Sequence, residues 1–278
     1  MSPELEIFRR SPTGKPKCKT PIIFVHGAFT GAWCWNEHFL AWFADQGFET
    51  ISFSLRGHGG SGGRQLRSLA SIDDYVEDLE TVVETLGQKP ILIGHSMGGY
   101  IIQKYLEKHS AAAAVLMASV PPEGLMASNA MMAMAQPDLY LQMFWLQAIG
   151  PHTLLRERLG RAMLSADIAE DEGMIYFGRL ETESHRALMD MAGTNPVFLS
   201  PTDVPPMLVM GARNDEIIQS ELVHRTAQRY GADYLLLDDI AHAMMLDAKW
   251  EKAAQGIVQW LEANVVEKSQ RSAKKSAA

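Results

Sequence analysis

A chain of 278 residues corresponds to about two units at roughly 150 residues per domain, or to one domain with a large insertion. With 47% hydrophobic and 21% charged residues it carries ample apolar material for a core, which excludes a disordered or collagen-like chain. Lys and Arg total 25 against 33 Asp and Glu, and a net charge of -8 argues against a phosphate-backbone partner.

Cys18 and Cys34 match no metal or redox spacing and read as two reduced thiols. The N-terminal stretch MSPELEIFRRSPTGK lacks the apolar segment of a secretory signal. The longest uncharged stretch in the middle of the chain, residues 139–155, carries Gln142, Gln147, Gly150, Pro151 and His152 and falls short of a membrane span. A cytoplasmic protein without stable membrane insertion is the expectation, with homodimerisation left open.

In chain order, the first strong apolar run lies at 21–27 (PIIFVHG). Phe39 and Trp42 read as core, with Trp33 and Phe29 as candidates to line a pocket. Further apolar runs lie at 49–55, 90–94, 113–120, 206–211 and 232–237. Val/Ile/Leu runs without alternation suit parallel strands covered on both faces. Helical patterns fall between them at 72–86, 97–109, 220–230 and 248–264, the first carrying an apolar stripe that Gly87 stops. Alternating strands and helices predict a mostly parallel, doubly wound α/β sheet.

The alternation breaks between 121 and 202. This block is helical and Met-rich, and it reads as a cap inserted into a core formed by residues 1–120 and 203–265, with a flexible tail at 266–278. Flexible thioethers suit a wall for varied apolar ligands, so Met126 and Met143 are candidate substrate contacts.

Ile91–Tyr100 is a strand, then Gly94-His95-Ser96-Met97-Gly98, then a helix. A serine on so sharp a turn projects its hydroxyl above the sheet, and the flanking glycines avoid collisions across the turn. A serine nucleophile needs a base, and the base an orienting acid. Asp215 follows the strand at 206–211, and His242 follows the strand at 232–237. The chain order Ser96, Asp215, His242 is the one this architecture requires. Glu216, and behind it Asp238 and Asp239, are fallbacks for the acid. The backbone N–H of Met97 and that of Ala28, or of Phe29 in second place, could stabilise a tetrahedral oxyanion. His26 reads as an anchor for its loop.

Gly57–Gly62 matches G-x-G-x-x-G, but no helix opens at the loop, so it reads as a rim segment rather than a dinucleotide site. His58 is a candidate substrate contact there. No histidine pair has metal-ligand spacing, and neither a metal nor a cofactor is expected.

HGA at 26–28, LRGHGGSG at 55–62, GHSMGG at 94–99, GARND at 211–215 and AH at 241–242 together resemble the α/β-hydrolase-fold enzymes over about residues 5–265. The pairing of HGA with GHSMGG is similar to that in monoacylglycerol lipases and lysophospholipases. The resemblance implies Ser96 as nucleophile, Asp215 as acid, His242 as base, and Ala28 and Met97 as oxyanion donors. It implies a serine hydrolase cleaving a carboxylic ester, lactone or thioester with an apolar acyl or aryl group through an acyl-enzyme. The partner would be a small apolar ester, with no nucleic acid involved. A non-ester enzyme of the same fold (a carbon–carbon bond hydrolase, a hydroxynitrile lyase or a cofactor-independent oxygenase) is the alternative, and a non-catalytic receptor the third class.

Overall fold

The apolar runs become strands because only a sheet covered on both faces can bury them. In the computed structural model, which describes residues 3–150 and 156–267, β1 (Ile7–Arg10), β2 (Ile22–Val25), β3 (Thr50–Phe53), β4 (Ile91–His95), β5 (Ala113–Met117), β6 (Met207–Ala212) and β7 (Asp233–Leu237) form one sheet. The order is β1-β3-β2-β4-β5-β6-β7. Only β1 runs antiparallel, pairing Ile7 with Phe53. It carries Arg9 and Arg10 on an exposed edge, where charge discourages further pairing. The five strands from β3 to β6 in that order are buried along their length.

Alternate side chains sort to the two faces. Ile23, Val25, Leu92, Leu116 and Val209 pack with helices α3 (Ile72–Glu84), α4 (Met97–Leu106) and α10 (Ser220–Tyr230). Phe24, Ile91, Ile93, Val115 and Met210 pack with α1 (Trp33–Asn36), α2 (Phe39–Asp45) and α11 (Trp250–Leu261). Parallel register, with Ile22 beside Ile91 and Ile91 beside Ala113, brings the strand ends to one edge, where the loops collect.

Helix α10 matches its expected bounds of 220–230, whereas α3 and α4 stop early and α11 starts late. α3 opens on a reciprocal cap between Ser71 and Asp74 and stops at Glu84, with Gly87 in the left-handed region at φ +61°. α4 stops at Leu106, not at 109, because Glu107 N–H and Lys108 N–H each bond three residues back and tighten the last turn. α11 begins only at Trp250, since Asp247 turns the chain by accepting from Lys249 N–H and Trp250 N–H, and its last turn widens over Glu262–Val266.

Between β5 and β6 lie α5 (Met126–Ala135), α6 (Pro137–Ile149), α7 (Arg156–Met163), α8 (Glu170–Gly178) and α9 (His185–Met189), and no strand among the described residues. Pro137 opens α6, where its missing N–H costs no bond. The two ends of this insert are tied together by Leu125 N–H to Met191 O at 2.6 Å and Val197 N–H to Pro122 O at 2.9 Å.

Among the described residues no helix is long and apolar enough to cross a membrane, and no three His, Cys, Asp or Glu side chains gather as a metal site. Cys18 and Cys34 are free thiols. His152, and the part of the expected tail beyond 267, lie outside the described residues.

Candidate active site

Ser96 links β4 to α4 at φ 53° and ψ -116°, a strained conformation for a residue with a Cβ. Its backbone is pinned on both sides. Ser96 N–H donates to Met117 O at 3.0 Å, while Ser96 O accepts from Gly99, Tyr100 and Val120 N–H. Gly98 lets α4 lie directly on β2, since a Cβ there would sit 2.2 Å from Val25 O and 2.6 Å from His26 O. Met97 is the first residue of α4, so its N–H belongs to the helix end that lacks partners within the helix.

The loops after β6 and β7 bring Asp215 and His242 together. His242 Nδ1–H donates to Asp215 Oδ2 at 2.7 Å, which leaves Nε2 as the basic nitrogen. The other oxygen, Oδ1, accepts from Ile217 N–H at 2.9 Å and Ile218 N–H at 2.8 Å, so the carboxylate is fixed by backbone. Of the fallback acids, Glu216 is paired with Arg158 and Asp238 with Arg213, while Asp239 lies within 3.9 Å of Lys249. The His95 ring lies 4.7 Å from that of His242, and its Nε2–H donates to His242 O at 2.9 Å. Burial, then the charge His242 would carry, hold the His95 pKa well below the ordinary imidazole value, so it acts as a neutral strut.

His26 holds the loop after β2. Its Nε2 accepts Leu55 N–H at 3.0 Å and its Nδ1–H donates to Gly27 O at 2.8 Å. Burial, and then the neighbouring His58, lower its pKa to about 4, matching this neutral tautomer. Phe29 follows with φ +66°, and its N–H donates to Glu183 Oε2 at 3.3 Å. Of the two loop amides considered from the sequence, that of Phe29 is therefore committed within the protein.

Ser96, His242, Ala28 and Met97 all line one cavity of about 260 Å³ between the strand ends and the insert. Its walls are apolar, with Met132, Met143, Met163, Met191 and Met245 prominent and Asn129 and Gln147 among the few polar groups. Phe29 and Met143 line it as expected from the sequence. Trp33 and Met126 do not. Trp33 sits on the opposite core face, with the Arg179 guanidinium 4.1 Å from its ring. Met126 begins α5 on the outer surface and is 68% exposed.

His58 does not line the cavity either. It is fully buried, with Nε2 3.1 Å from Glu183 Oε2. The glycine-rich loop around it has its amides satisfied by carboxylates, Gly59 N–H by Glu181 and Gly60 N–H by Glu6, so it cradles no phosphate. Sequence reading missed Glu183, whose partners come from three distant segments. Its only local signal is the helix-capping Ser184 beside it.

The profile described as the alpha/beta hydrolase family matches residues 22–255. The chain is 35% identical over 88 residues to a putative chloroplastic methylesterase, number 11, of Arabidopsis thaliana, a match covering 31% of this chain and 22% of the relative. It is 35% identical over 106 residues to a non-heme haloperoxidase of Rhodococcus erythropolis, covering 37% and 38%. Both matches thus span well under half of the relatives' own length. Among solved structures, a thermophilic esterase from Thermogutta terrifontis superposes with a TM-score of 0.73 at 20% identity, covering 95% of this chain and 94% of that one, a likeness of fold.

Proposed function

The chain belongs to the alpha/beta hydrolase family, and from that premise we propose that it is a serine hydrolase acting on a carboxylic ester, lactone or thioester with an apolar acyl or aryl group. One observation carries this reading: His242, bonded through Nδ1 to Asp215 at 2.7 Å, opens with Ser96 into a single apolar cavity. Similarity to the Arabidopsis methylesterase supports it.

In this mechanism Ser96 Oγ attacks the carbonyl carbon while His242 Nε2 takes the hydroxyl proton. Asp215 keeps the Nδ1–H tautomer and stabilises the imidazolium that forms. The carbonyl oxygen becomes an oxyanion and accepts the N–H groups of Ala28 and Met97. Collapse expels the leaving group, which takes the proton from His242. Water, deprotonated by the same nitrogen, then attacks the acyl-Ser96 ester and releases the acid. Residues 121–202 act as a cap whose methionines receive the apolar group.

The test is hydrolysis of p-nitrophenyl esters from acetate to laurate, with Ser96→Ala alongside. Each buried methylene is worth about 0.8 kcal/mol, so kcat/KM should climb by up to about fourfold per carbon until the cavity is filled. Ser96→Ala should lower kcat by roughly a thousandfold or more. Full activity in that variant would remove Ser96 from the mechanism.

A non-ester reaction on the same residues is the second reading, favoured by the similarity to the Rhodococcus haloperoxidase. Turnover of a cyanohydrin or a ring-cleavage product, with every ester inert, would select it.

A further inference from the structure

Glu183 is buried at the junction of insert and core, with no role in the proton transfers above. Three hydrogen-bond donors and the His58 ring surround its carboxylate. Oε1 accepts Tyr75 O–H at 2.7 Å and Ser184 N–H at 2.6 Å. Oε2 accepts Phe29 N–H at 3.3 Å and lies 3.1 Å from His58 Nε2. His58 Nδ1 lies 3.2 Å from Arg56 O, which ties the ring to the loop after β3. Burial alone would raise the Glu183 carboxyl, but His58, Ser184 N–H and Tyr75 outweigh it and bring it down to about 2.

The same strap holds Phe29 at its other end, for Glu181 N–H donates to Phe29 O at 2.8 Å. Phe29 is thus gripped on both sides in a left-handed conformation that a residue with a Cβ avoids when free. Gln147 of α6 in turn clamps the Glu183 backbone, accepting its N–H at 2.9 Å and donating to its carbonyl at 2.8 Å. Gln147 also lines the cavity. A chain of contacts therefore runs from the cavity wall through Glu183 to the loop after β2.

We propose that Glu183 is a positioning residue that grips Phe29 N–H and so holds the preceding Ala28 N–H in register for the oxyanion, coupling the insert to the chemistry. This rests on the ester-hydrolase reading. Stability alone does not account for it, because a buried carboxylate carries a desolvation cost that its hydrogen bonds must first offset. The link to Phe29 spans 154 residues of sequence and ends on the residue beside the donor.

Two variants test it. Glu183→Gln keeps the shape but turns an amide N–H₂ toward two of the donors. Glu183→Asp keeps the charge but withdraws the carboxylate by one methylene, loosening the long contact to Phe29 first. Both are assayed with p-nitrophenyl butyrate and with an alkylboronic acid, whose boron takes up Ser96 Oγ to form a tetrahedral adduct with oxygen in the oxyanion position. A displacement of about 1 Å can cost a hundredfold, so Glu183→Gln should lower kcat by up to about a hundredfold, with KM within about threefold of wild type. The boronate Ki should rise by a similar factor, and Glu183→Asp should fall between. Folded variants with wild-type kcat and boronate Ki, or a loss confined to KM, would overturn the proposal. So would a failure of both variants to fold, which would mark Glu183 as structural. If Glu183→Gln alone fails to fold, the kinetics of Glu183→Asp decide. A wild type inert to esters and boronate overturns the ester reading and this one together, whereas an active wild type with unaltered variants overturns this one alone.

Discussion

Around Ser96 the backbone leaves nothing to adjust. Its N–H and C=O are bonded to β5 and α4, its φ is positive, and Gly98 packs where a methyl group would meet carbonyl oxygens. Across the cavity, the facing insert is built of methionines and other flexible apolar groups. Between residues 125 and 149 the sequence holds a single charge, Asp138. Met126, Met134 and Phe144 there are exposed, while Met132, Leu139 and Leu146 are buried. One side of the cavity is rigid, as the proposed reaction would need for atoms held in register. The other is adaptable because thioethers can repack around differing apolar shapes.

Three measurements would break or sharpen that contrast. The largest effect belongs to Gly98→Ala. Its Cβ would lie 2.2 Å from Val25 O, and backbone cannot swing aside as a side chain can. Overpacking of this kind should cost at least about 3 kcal/mol, read as a lower urea midpoint. A loss under about 1 kcal/mol would mean that the elbow is softer than its geometry implies.

Acid should strike the core side next. His26 is held at a pKa of about 4 in the fold, against 6.5 when unfolded, so the unfolded chain binds its proton first as pH falls. The stability this group contributes is complete above pH 6.5 and lost as pH falls toward 4, amounting to about 3 kcal/mol. His95 shifts in the same direction. Glu183 follows in a lower window, between 4.5 and about 2. Thermal unfolding at pH 7 and pH 4.5 reads the histidine part, and an unchanged Tm would remove it.

The smallest effect should come from Gly173→Ala in α8, on the tolerant side. There a Cβ meets Ile168 at an ordinary 3.8 Å. Replacing a mid-helix glycine should raise stability by about 0.5–1 kcal/mol, as a small rise in urea midpoint. Destabilisation instead would show the insert to be packed as tightly as the core.

Much of this was legible in the chain. The central strands announce themselves because burial on both faces demands unbroken apolar runs. Asp215 and His242 stand after adjacent strands, and parallel register carries strand ends to one edge, so order brings them near one another, while the structure selects Asp215 over Glu216, Asp238 and Asp239 as the bonded partner. Side-chain direction was not legible. Trp33 lies only four residues after Phe29, yet its short helix turns it to the other face of the sheet. The ends of α3 and α4 and the start of α11 were overrun by two to three residues, because local bonds rather than periodicity set where a helix stops, whereas α10 fell on its expected bounds.

The amino-acid sequence by itself determined the sheet, the turn at Ser96 and the placing of Asp215 and His242 after successive strands, since these rest on local geometry and on hydrophobic burial, both written in consecutive residues. Tertiary structure alone decided which methionines wall the cavity and that Glu183, His58, Tyr75 and Phe29 meet. A buried carboxylate needs several donors at once, and no single stretch of chain can supply them; only folding, by drawing distant segments out of water together, can.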